Sequence, residues 1–535
     1  MLSVTKRNLL IGLMFFVWIL CVFFHRFLLL KNKGRQYSTN STHSSMHKLQ
    51  QTTANTGDTE FQNIMELIKW PSPVGFPHFE NSTSAKTSEY HVKSPHTSYH
   101  VGEYIEVQIR ARDHHGYPKE YGGDFFQVKL HSPEMKAGVV GSVIDHSNGS
   151  YTAVFLLAWP GNTHISVRLI YSSEAISILQ AKQASRLDKV YFHGYFERNG
   201  TREIVECNLE LLQSDVCEFI DLNSGEKWVC VRPKILPCDS WVYHSTGGER
   251  KVTTKEEDVF LKRSVINQTV PVSVTPFNVL SAKTIKAPKK PLPACTVKQM
   301  AAHPSGFYYN DTWISLQCLN RQFKLPSDAR ACLQDKNILM FGDSTLRQWF
   351  EYLEDFIPTL KRMDLHKPYN PGPLLAVDVE SNIVMSWRCH GLPFKTLKMK
   401  AADLHYVVNE ISGIGGGPFT VVVLSGWAHF TTYPVAVYVS WLRKLREAVR
   451  MLLLRSPETK VLIKSANTAE NTVYSNNWFA FQFDKILRLM FSTLPVIVVD
   501  AWEMTSCHYL PEVLHPEKPV IKNEVNMMLS YICPH

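Results

Sequence analysis

A short apolar stretch runs into Gly-Asp-Ser in the segment Ile338-Leu339-Met340-Phe341-Gly342-Asp343-Ser344-Thr345-Leu346-Arg347. The residues before Gly342 predict a buried strand, and those after Ser344 predict a helix. A serine at the carboxyl end of such a strand exposes its hydroxyl, and its backbone N–H lies near a helix N-terminus, where an oxyanion is stabilised. Asp and Ser are also ordinary helix N-caps, so a purely structural role for Asp343 and Ser344 stays open.

A nucleophilic serine needs a base, and the C-terminal segment supplies a candidate in His515. This histidine ends the segment Glu512-Val513-Leu514-His515, just before a last apolar helical pattern. A carboxylate three residues before a histidine can orient and polarise its imidazole, so Glu512 is one candidate acid. Asp500, at the end of the predicted strand Val496–Val499, is a second candidate for the acid. His508 and His429 are alternative bases.

Length and composition exclude several classes of protein. The chain has 535 residues, 44% of them hydrophobic and 20% charged, which is globular and allows about three domains. Wholesale disorder, collagen and a polytopic membrane protein are excluded. The net charge of +9 is spread along the chain without a basic arm, so no nucleic-acid partner is expected. The 22 histidines are too dispersed to suggest a metal cluster, and no metal site is predicted.

An apolar run near the N-terminus predicts one membrane span. The run Leu9–Phe24 follows Lys6 and Arg7, and after an interruption by His25 and Arg26 the apolar residues Phe27–Leu30 extend it. We expect a cytoplasmic tail at 1–8 and an uncleaved signal anchor at 9–30, because no small-x-small cleavage site follows. A cleaved signal peptide and a secreted protein are the alternative. The short span and the lumenal features below favour a type II protein of the Golgi or endoplasmic reticulum.

Sequons and cysteines both indicate a lumenal chain. Glycosylation and disulfide formation require the secretory pathway, and ten of the 11 cysteines lie beyond the apolar run. We expect all ten to pair in five bridges, with the first four pairing among themselves. The ten cysteines are Cys207, Cys217, Cys230, Cys238, Cys295, Cys318, Cys332, Cys389, Cys507 and Cys533. The predicted glycosylation sites are Asn40, Asn81, Asn148, Asn199, Asn267 and Asn310.

Changes in sequence texture divide the lumenal part. Residues 31–85 are polar and predict a flexible stem, and period-two strands in 86–195 predict an antiparallel, immunoglobulin-like β-sandwich. Residues 196–285 form a Cys-rich module, and 286–294 resemble a Pro/Lys linker. In 295–535 short β-branched runs alternate with helical patterns, which predicts a parallel sheet covered by helices on both faces. The predicted fold is therefore multidomain, with an α/β/α domain last. The predicted strands here are Asn337–Phe341, Thr420–Leu424, Val461–Lys464 and Val496–Val499, and the predicted helix is Pro434–Arg455.

The serine block, together with the acid-x-x-His segment, resembles the PC-esterase branch of the GDSL/SGNH hydrolases. The whole arrangement of anchor, sandwich, Cys-rich module and α/β domain resembles the neurexophilin and PC-esterase domain (NXPE) family. Carried over by motif, Ser344 is the nucleophile and His515 the general base. The family acid falls on Glu512, a departure from Asp that leaves Asp500 as the substitute. Candidate oxyanion donors are the backbone amides of Ser344, Gly391 and Gly426.

The resemblance implies a lumenal O-acyltransferase or esterase acting on glycans, with sialic acid on mucin-type glycans as a candidate acceptor. Such a protein binds no cofactor of its own, and a transferase needs acetyl-CoA or another acyl donor. The alternative is a non-catalytic, neurexophilin-like protein that binds a cell-surface receptor or acts in adhesion. The expected partners are therefore a glycan or glycoprotein substrate, the membrane through one span, and a cell-surface receptor in the alternative.

Overall fold

The computed structural model describes residues 59–73, 78–282, 292–297, 302–367, 372–393, 395–468 and 472–534. The predicted anchor at 9–30, Asn40 and most of the stem and linker lie outside these ranges. Among the described helices, none combines the length and apolarity that a bilayer span requires. The chain divides into two compact units, Met1–Met65 and Glu66–His535. In the first, the described residues 59–65 are helical; the rest of this section concerns the second.

Two sheets pack about one core to form a β-sandwich. The first is antiparallel, in the order β1-β3-β7-β6, where β1 is Glu89–Val92, β3 is Tyr104–Arg110, β6 is Ser142–Asp145 and β7 is Ser150–Leu156. The strands of the second are Tyr99–His100 (β2), Phe125–Ser132 (β4), Ala137–Val140 (β5), Gly161–Tyr171 (β8), Gln268–Thr269 (β14), Phe277–Leu280 (β15), Gly306–Tyr309 (β16) and Thr312–Ser315 (β17). Their order is β17-β16-β5-β4-β8-β15-β2, with β14 paired to β8.

The predicted period-two strands form this sandwich because each buries alternate side chains. In β3, Ile105, Val107 and Ile109 are buried, whereas Tyr104 and Arg110 are exposed. Their buried face joins residues of the second sheet in one hydrophobic cluster. The sandwich architecture is confirmed, and its immunoglobulin-like character stays a prediction.

The Cys-rich module is a six-stranded antiparallel sheet in the order β11-β12-β10-β9-β13-β22. Its strands are Val190–Arg198 (β9), Thr201–Asn208 (β10), Val216–Ile220 (β11), Lys227–Val231 (β12), Trp241–Glu249 (β13) and Met399–Lys400 (β22). Helices Ser173–Ser185 (α1) and Lys255–Phe260 (α2) flank it along the chain. The disulfides Cys207–Cys230 and Cys217–Cys238 staple it, as predicted for the first four cysteines.

The C-terminal domain contains a seven-stranded mixed sheet in the order β19-β20-β21-β18-β23-β24-β25. Its strands are Asn337–Phe341 (β18), Lys361–Arg362 (β19), Leu374–Asp378 (β20), Ile383–Arg388 (β21), Thr420–Leu424 (β23), Lys460–Lys464 (β24) and Ile497–Val499 (β25). The five strands from β21 to β25 in this order are parallel, and β19 and β20 add an antiparallel edge. All five residues of β23 are buried, so both faces are covered. The predicted parallel sheet is confirmed.

Seven helices accompany this sheet in the part of the domain that the structure describes: Pro326–Leu333 (α3), Ser344–Phe356 (α4), Val407–Gly413 (α5), Val435–Arg455 (α6), Asn477–Phe491 (α7), Ala501–Cys507 (α8) and Lys518–Ile532 (α9). Helices α4 and α9 contribute buried residues to one cluster with the central strands. The disulfide Cys332–Cys533 ties α3 to the residue that caps α9. Cys295–Cys318 is the fourth disulfide in the described part of the chain.

The two halves of the chain share sheets rather than being joined by a linker alone. Strands β16 and β17 extend the sandwich sheet through β5, and β22 extends the module sheet through β13. The front half is therefore hydrogen-bonded to the domain that carries Ser344 and His515.

Candidate active site

Ser344 is the first residue of α4, directly after the sharp turn that ends β18. Asp343 is the N-cap, and its carboxylate accepts from the Thr345 amide at 2.9 Å and the Thr345 hydroxyl at 2.6 Å. A Cβ at Gly342 would lie 2.4 Å from the Ser425 carbonyl oxygen, so this turn requires glycine. The capping role considered for Asp343 is thus real, and it presents Ser344 at the carboxyl edge of the sheet.

His515 meets this serine from the loop between α8 and α9. The Oγ of Ser344 and the Nε2 of His515 are 2.8 Å apart, a hydrogen bond between residues 171 positions apart in sequence. This distance and pairing are those that a general base needs to take the hydroxyl proton. The imidazole is exposed and the serine is half-buried, so both are accessible to a substrate.

Two side chains hold the loop that carries His515. Asn467, just after β24, donates from Nδ2 to the Leu514 carbonyl at 2.9 Å. Gln348, on the same helix as Ser344, donates to the Pro516 carbonyl at 3.2 Å. These two hydrogen bonds hold the backbone in place on either side of His515. A single sequence gives no pattern that identifies them, because they join elements far apart in the chain.

Glu512, the first candidate acid, makes an ion pair with the β-sandwich. Its carboxylate contacts Arg168 of β8, and Arg168 also donates to Gln127 of β4 at 2.7 Å. Lys129 of β4 donates to the His508 carbonyl at 2.8 Å, near the start of the same loop. Burial raises the pKa of Glu512, and Arg168 and Lys129 oppose that rise. The sandwich therefore takes part in holding the His515 loop, which the sequence did not predict.

Asp500, the second candidate acid, caps α8. Its carboxylate accepts from the Glu503 amide at 3.1 Å and lies 2.9 Å from Nη2 of Arg488 on α7. Both candidate carboxylates thus have an arginine partner. The partner of Glu512 comes from the front half of the chain, whereas that of Asp500 comes from the α/β domain itself.

The candidate oxyanion donors lie in loops at the carboxyl edge of three adjacent parallel strands. The Ser344 amide is at the start of α4, where backbone N–H groups have no intrahelical partner. Gly391 follows β21 with φ of 90°, and Gly426 follows β23. Strands β21 and β23 flank β18, so the loops carrying these two glycines flank the nucleophile turn.

A cluster of buried polar side chains lies near the turn that carries Ser344. Lys464, at the end of β24, is fully buried, contacts Asn467 and lies 3.8 Å from Glu524 of α9. Glu524 in turn accepts from the Trp349 indole at 2.6 Å. Burial lowers the pKa of Lys464, and the Glu524 charge opposes that. Because Asn467 also holds Leu514, this group connects the core to the His515 loop.

The two alternative bases have other partners. His508 is buried, and its Nε2 lies 3.0 Å from Asp311. The Nδ1 of His429 lies 2.9 Å from the Nε2 of His390, and these residues form a potential metal-ligand set with Cys389. Burial lowers the pKa of both imidazoles, that of His390 to about 4. The prediction that the histidines are too dispersed to suggest a metal cluster was therefore wrong for His390 and His429.

The prediction of five disulfides was wrong. Cys389 and Cys507 are not bridged: Cys389 lies in the loop after β21, and Cys507 ends α8 in the core. Cys533 pairs with Cys332. An even number of cysteines allows all of them to pair. Whether two cysteines do pair depends on the distance between their Cβ atoms, which the fold sets.

All five described sequon asparagines are exposed, which is compatible with the predicted glycosylation. Three of them occupy turns with positive φ, where asparagine is well tolerated. Glycosylation at these sites stays a prediction. The five residues are Asn81, Asn148, Asn199, Asn267 and Asn310.

Fold and site together define a class: a β-rich front half joined by shared sheets to an α/β domain with a Ser–His pair at its sheet edge. Comparison with protein families agrees with that division. The family described as Neurexophilin matches residues 62–263. The family described as NXPE family member 4-like, C-terminal domain, matches residues 313–533. The chain belongs to the NXPE family.

Proposed function

We propose that this protein is a lumenal acyl-transferring enzyme, a glycan O-acyltransferase or esterase, that acts through an acyl-Ser344 intermediate. The observation that carries the proposal is the 2.8 Å contact between Ser344 Oγ and His515 Nε2 at the carboxyl edge of a parallel sheet. Ligands of open α/β sheets bind at this edge. A receptor-binding protein needs no such pair.

The first half-reaction follows from the geometry. His515 Nε2 accepts the hydroxyl proton as Ser344 Oγ attacks the acyl carbonyl, and the carbonyl oxygen becomes an oxyanion. We expect the Ser344 amide, at the start of α4, to stabilise that charge. When the tetrahedral intermediate collapses, His515 returns the proton to the leaving group, and the acyl group remains on Ser344.

The second half-reaction separates the two activities. Water that attacks acyl-Ser344 completes an ester hydrolysis, whereas a sugar hydroxyl completes an acyl transfer. In both, His515 takes a proton from the attacking hydroxyl and passes it to the departing Ser344 Oγ. A transferase requires an acyl donor such as acetyl-CoA on the lumenal side. We propose an acetyl group as the acyl unit and sialic acid on glycoproteins as an acceptor, on the strength of the family resemblance.

Two variants test the serine and its base. Ser344→Ala removes one hydroxyl, so folding should be nearly unaffected, within about 1 kcal/mol. Labelling by a fluorophosphonate probe at Ser344 should disappear, and His515→Ala should reduce it by several orders of magnitude. The matched controls are the exposed residues Ser492 and His366, whose alanine variants should label as wild type does.

The same variants, expressed in cells, test the substrate class. Mass spectrometry of cell-surface glycans should show O-acetyl groups that change with wild type and not with Ser344→Ala. An increase identifies a transferase and a decrease identifies an esterase. A Ser344→Ala protein that is exported and alters glycan acylation as wild type does would refute the enzyme proposal. The match of residues 62–263 to neurexophilins would then favour receptor binding.

A paired comparison identifies the acid. Glu512→Gln and Asp500→Asn each remove one charge with little change of shape. We propose Glu512 as the acid, because it lies three residues before His515 in the same loop, so Glu512→Gln should cause the larger loss of labelling rate. A larger loss in Asp500→Asn would transfer the role to that residue.

A further inference from the structure

Three metal-binding side chains converge beside the turn that carries Ser344. Cys389 and His390 follow β21, and His429 lies in the short 3-10 helix that follows β23. One ligand atom from each of the three lies within 4.8 Å of the other two. We call this set the Cys-His-His cluster. None of its members takes part in the proposed acyl transfer.

The donor atoms are available for a ligand. His390 is fully buried, and the nitrogen that would bind a metal, Nε2, faces His429 Nδ1 at 2.9 Å; its other nitrogen, Nδ1, has no hydrogen-bond partner in the described part of the chain and is not a donor atom of this set. Cys389 forms no disulfide, although eight of the described cysteines do. Backbone amides of His390 and Gly391 approach the Cys389 sulfur. Burial and the nearby Asp343 charge nevertheless raise the pKa of the Cys389 thiol to about 12, so a metal ion has to displace the thiol proton when it binds.

We propose that the Cys-His-His cluster is a binding site for one zinc ion. One thiolate and two imidazoles are a donor set that zinc prefers, and three protein ligands leave a fourth position for water or substrate. Magnesium and calcium prefer oxygen ligands and do not suit this set. The site goes beyond the acyl-transfer proposal, since neither Ser344 nor His515 is a ligand.

The two imidazole nitrogens need to move only slightly to bind one zinc ion. Two nitrogens that each bind a tetrahedral zinc at about 2.0–2.1 Å lie about 3.3 Å apart. His390 Nε2 and His429 Nδ1 therefore need to separate by a few tenths of an ångström from their 2.9 Å. Their mutual hydrogen bond is lost on binding. Cys389 and His429 are half-buried, whereas His390 is fully buried.

The surroundings suit a bound cation. The His390 ring packs against Phe430 and Trp441, at centroid distances of 5.4 and 5.9 Å, which provides an apolar shell. The buried carboxylate of Asp343 supplies a negative charge close to both imidazoles, and it is anchored by the Ala428 amide at 3.3 Å. Asp343 therefore offsets part of the cation charge without being a ligand.

The binding step balances in protons. A zinc ion replaces the proton of the Cys389 thiol, and that proton passes to solvent. Both imidazoles bind in their neutral form, each through the nitrogen that faces the other.

The test is zinc binding by the purified full-length chain after treatment with a chelator. Calorimetry and elemental analysis should give one zinc per chain, and Cys389→Ser and His429→Asn should each weaken binding on the order of 100-fold. Cys507→Ser is the matched control, since it removes the other unbridged thiol, and it should bind as wild type does.

A second measurement does not depend on the variants folding. Zinc should protect Cys389 of the wild-type chain from N-ethylmaleimide, as scored by peptide mapping, and should leave the labelling of Cys507 unchanged. Failure to bind zinc, binding of equal strength in Cys389→Ser and His429→Asn, or a Cys389 that stays equally reactive with zinc would each overturn the proposal.

Discussion

Replacing Arg168 with methionine is expected to destabilise the His515 loop from a different part of the chain. Methionine keeps the apolar stem and removes the charge, so Glu512 loses its ion-pair partner. The Glu512 side chain is 5% exposed and that of Arg168 is 19% exposed, so water can replace little of what is lost. Removing one partner of a buried pair costs about 3–5 kcal/mol. We expect the lower end, because Lys129 still faces the carboxylate.

The direction in which stability changes with pH follows from the pKa of the Glu512 carboxyl. Burial already holds the pKa of Glu512 above its usual value, and loss of Arg168 raises it further. A carboxyl with a raised folded-state pKa destabilises the fold while it is ionised, and this cost fades as the pH falls through that pKa. The stability difference between Arg168→Met and wild type should therefore be largest at neutral pH and should shrink in acid.

Urea unfolding monitored between neutral and acidic pH measures this difference, and fluorophosphonate labelling of Ser344 reports the His515 loop. The double variant Arg168→Met with Glu512→Gln removes both charges of the pair and should recover most of the stability, but not the labelling rate if Glu512 is the acid. Arg450→Met, which breaks an exposed pair on α6, should cost about 0.5 kcal/mol. An Arg168→Met protein with wild-type stability and labelling at neutral pH would refute the reasoning.

Two further substitutions test the supports of the site. Lys464→Met leaves Glu524 buried without its cation and should cost about 3 kcal/mol, recovered in part by adding Glu524→Gln, as measured by urea unfolding. Cys332→Ser opens the disulfide to Cys533, which spans 201 residues, and should lower the free energy of unfolding by about 2–5 kcal/mol. Reduction of that disulfide in the wild type should lower it equally, and unchanged unfolding midpoints in either variant would contradict these roles.

The local elements could be predicted from the residues alone. Strand β18 and helix α6 were predicted within a residue, because the pattern of apolar positions reports which residues of each element are buried. The turn at Asp343 and Ser344 was equally readable, since glycine, a helix cap and a following helical pattern stand together in the chain. His515 was chosen by residue type, its distance from Glu512 and the family resemblance.

The contacts between those elements could not be predicted in this way, because they depend on how the chain folds. The 2.8 Å contact of Ser344 with His515, the Arg168–Glu512 pair and the approach of His390 to His429 all join residues from separate segments. The same holds for the four disulfides and for the unbridged Cys389. Periodicity carries no information about such pairs, because strand order and sheet sharing set the distances between side chains far apart in sequence. Hydrophobic pattern thus fixed which residues are buried, whereas chain topology fixed which of the buried and polar groups face one another.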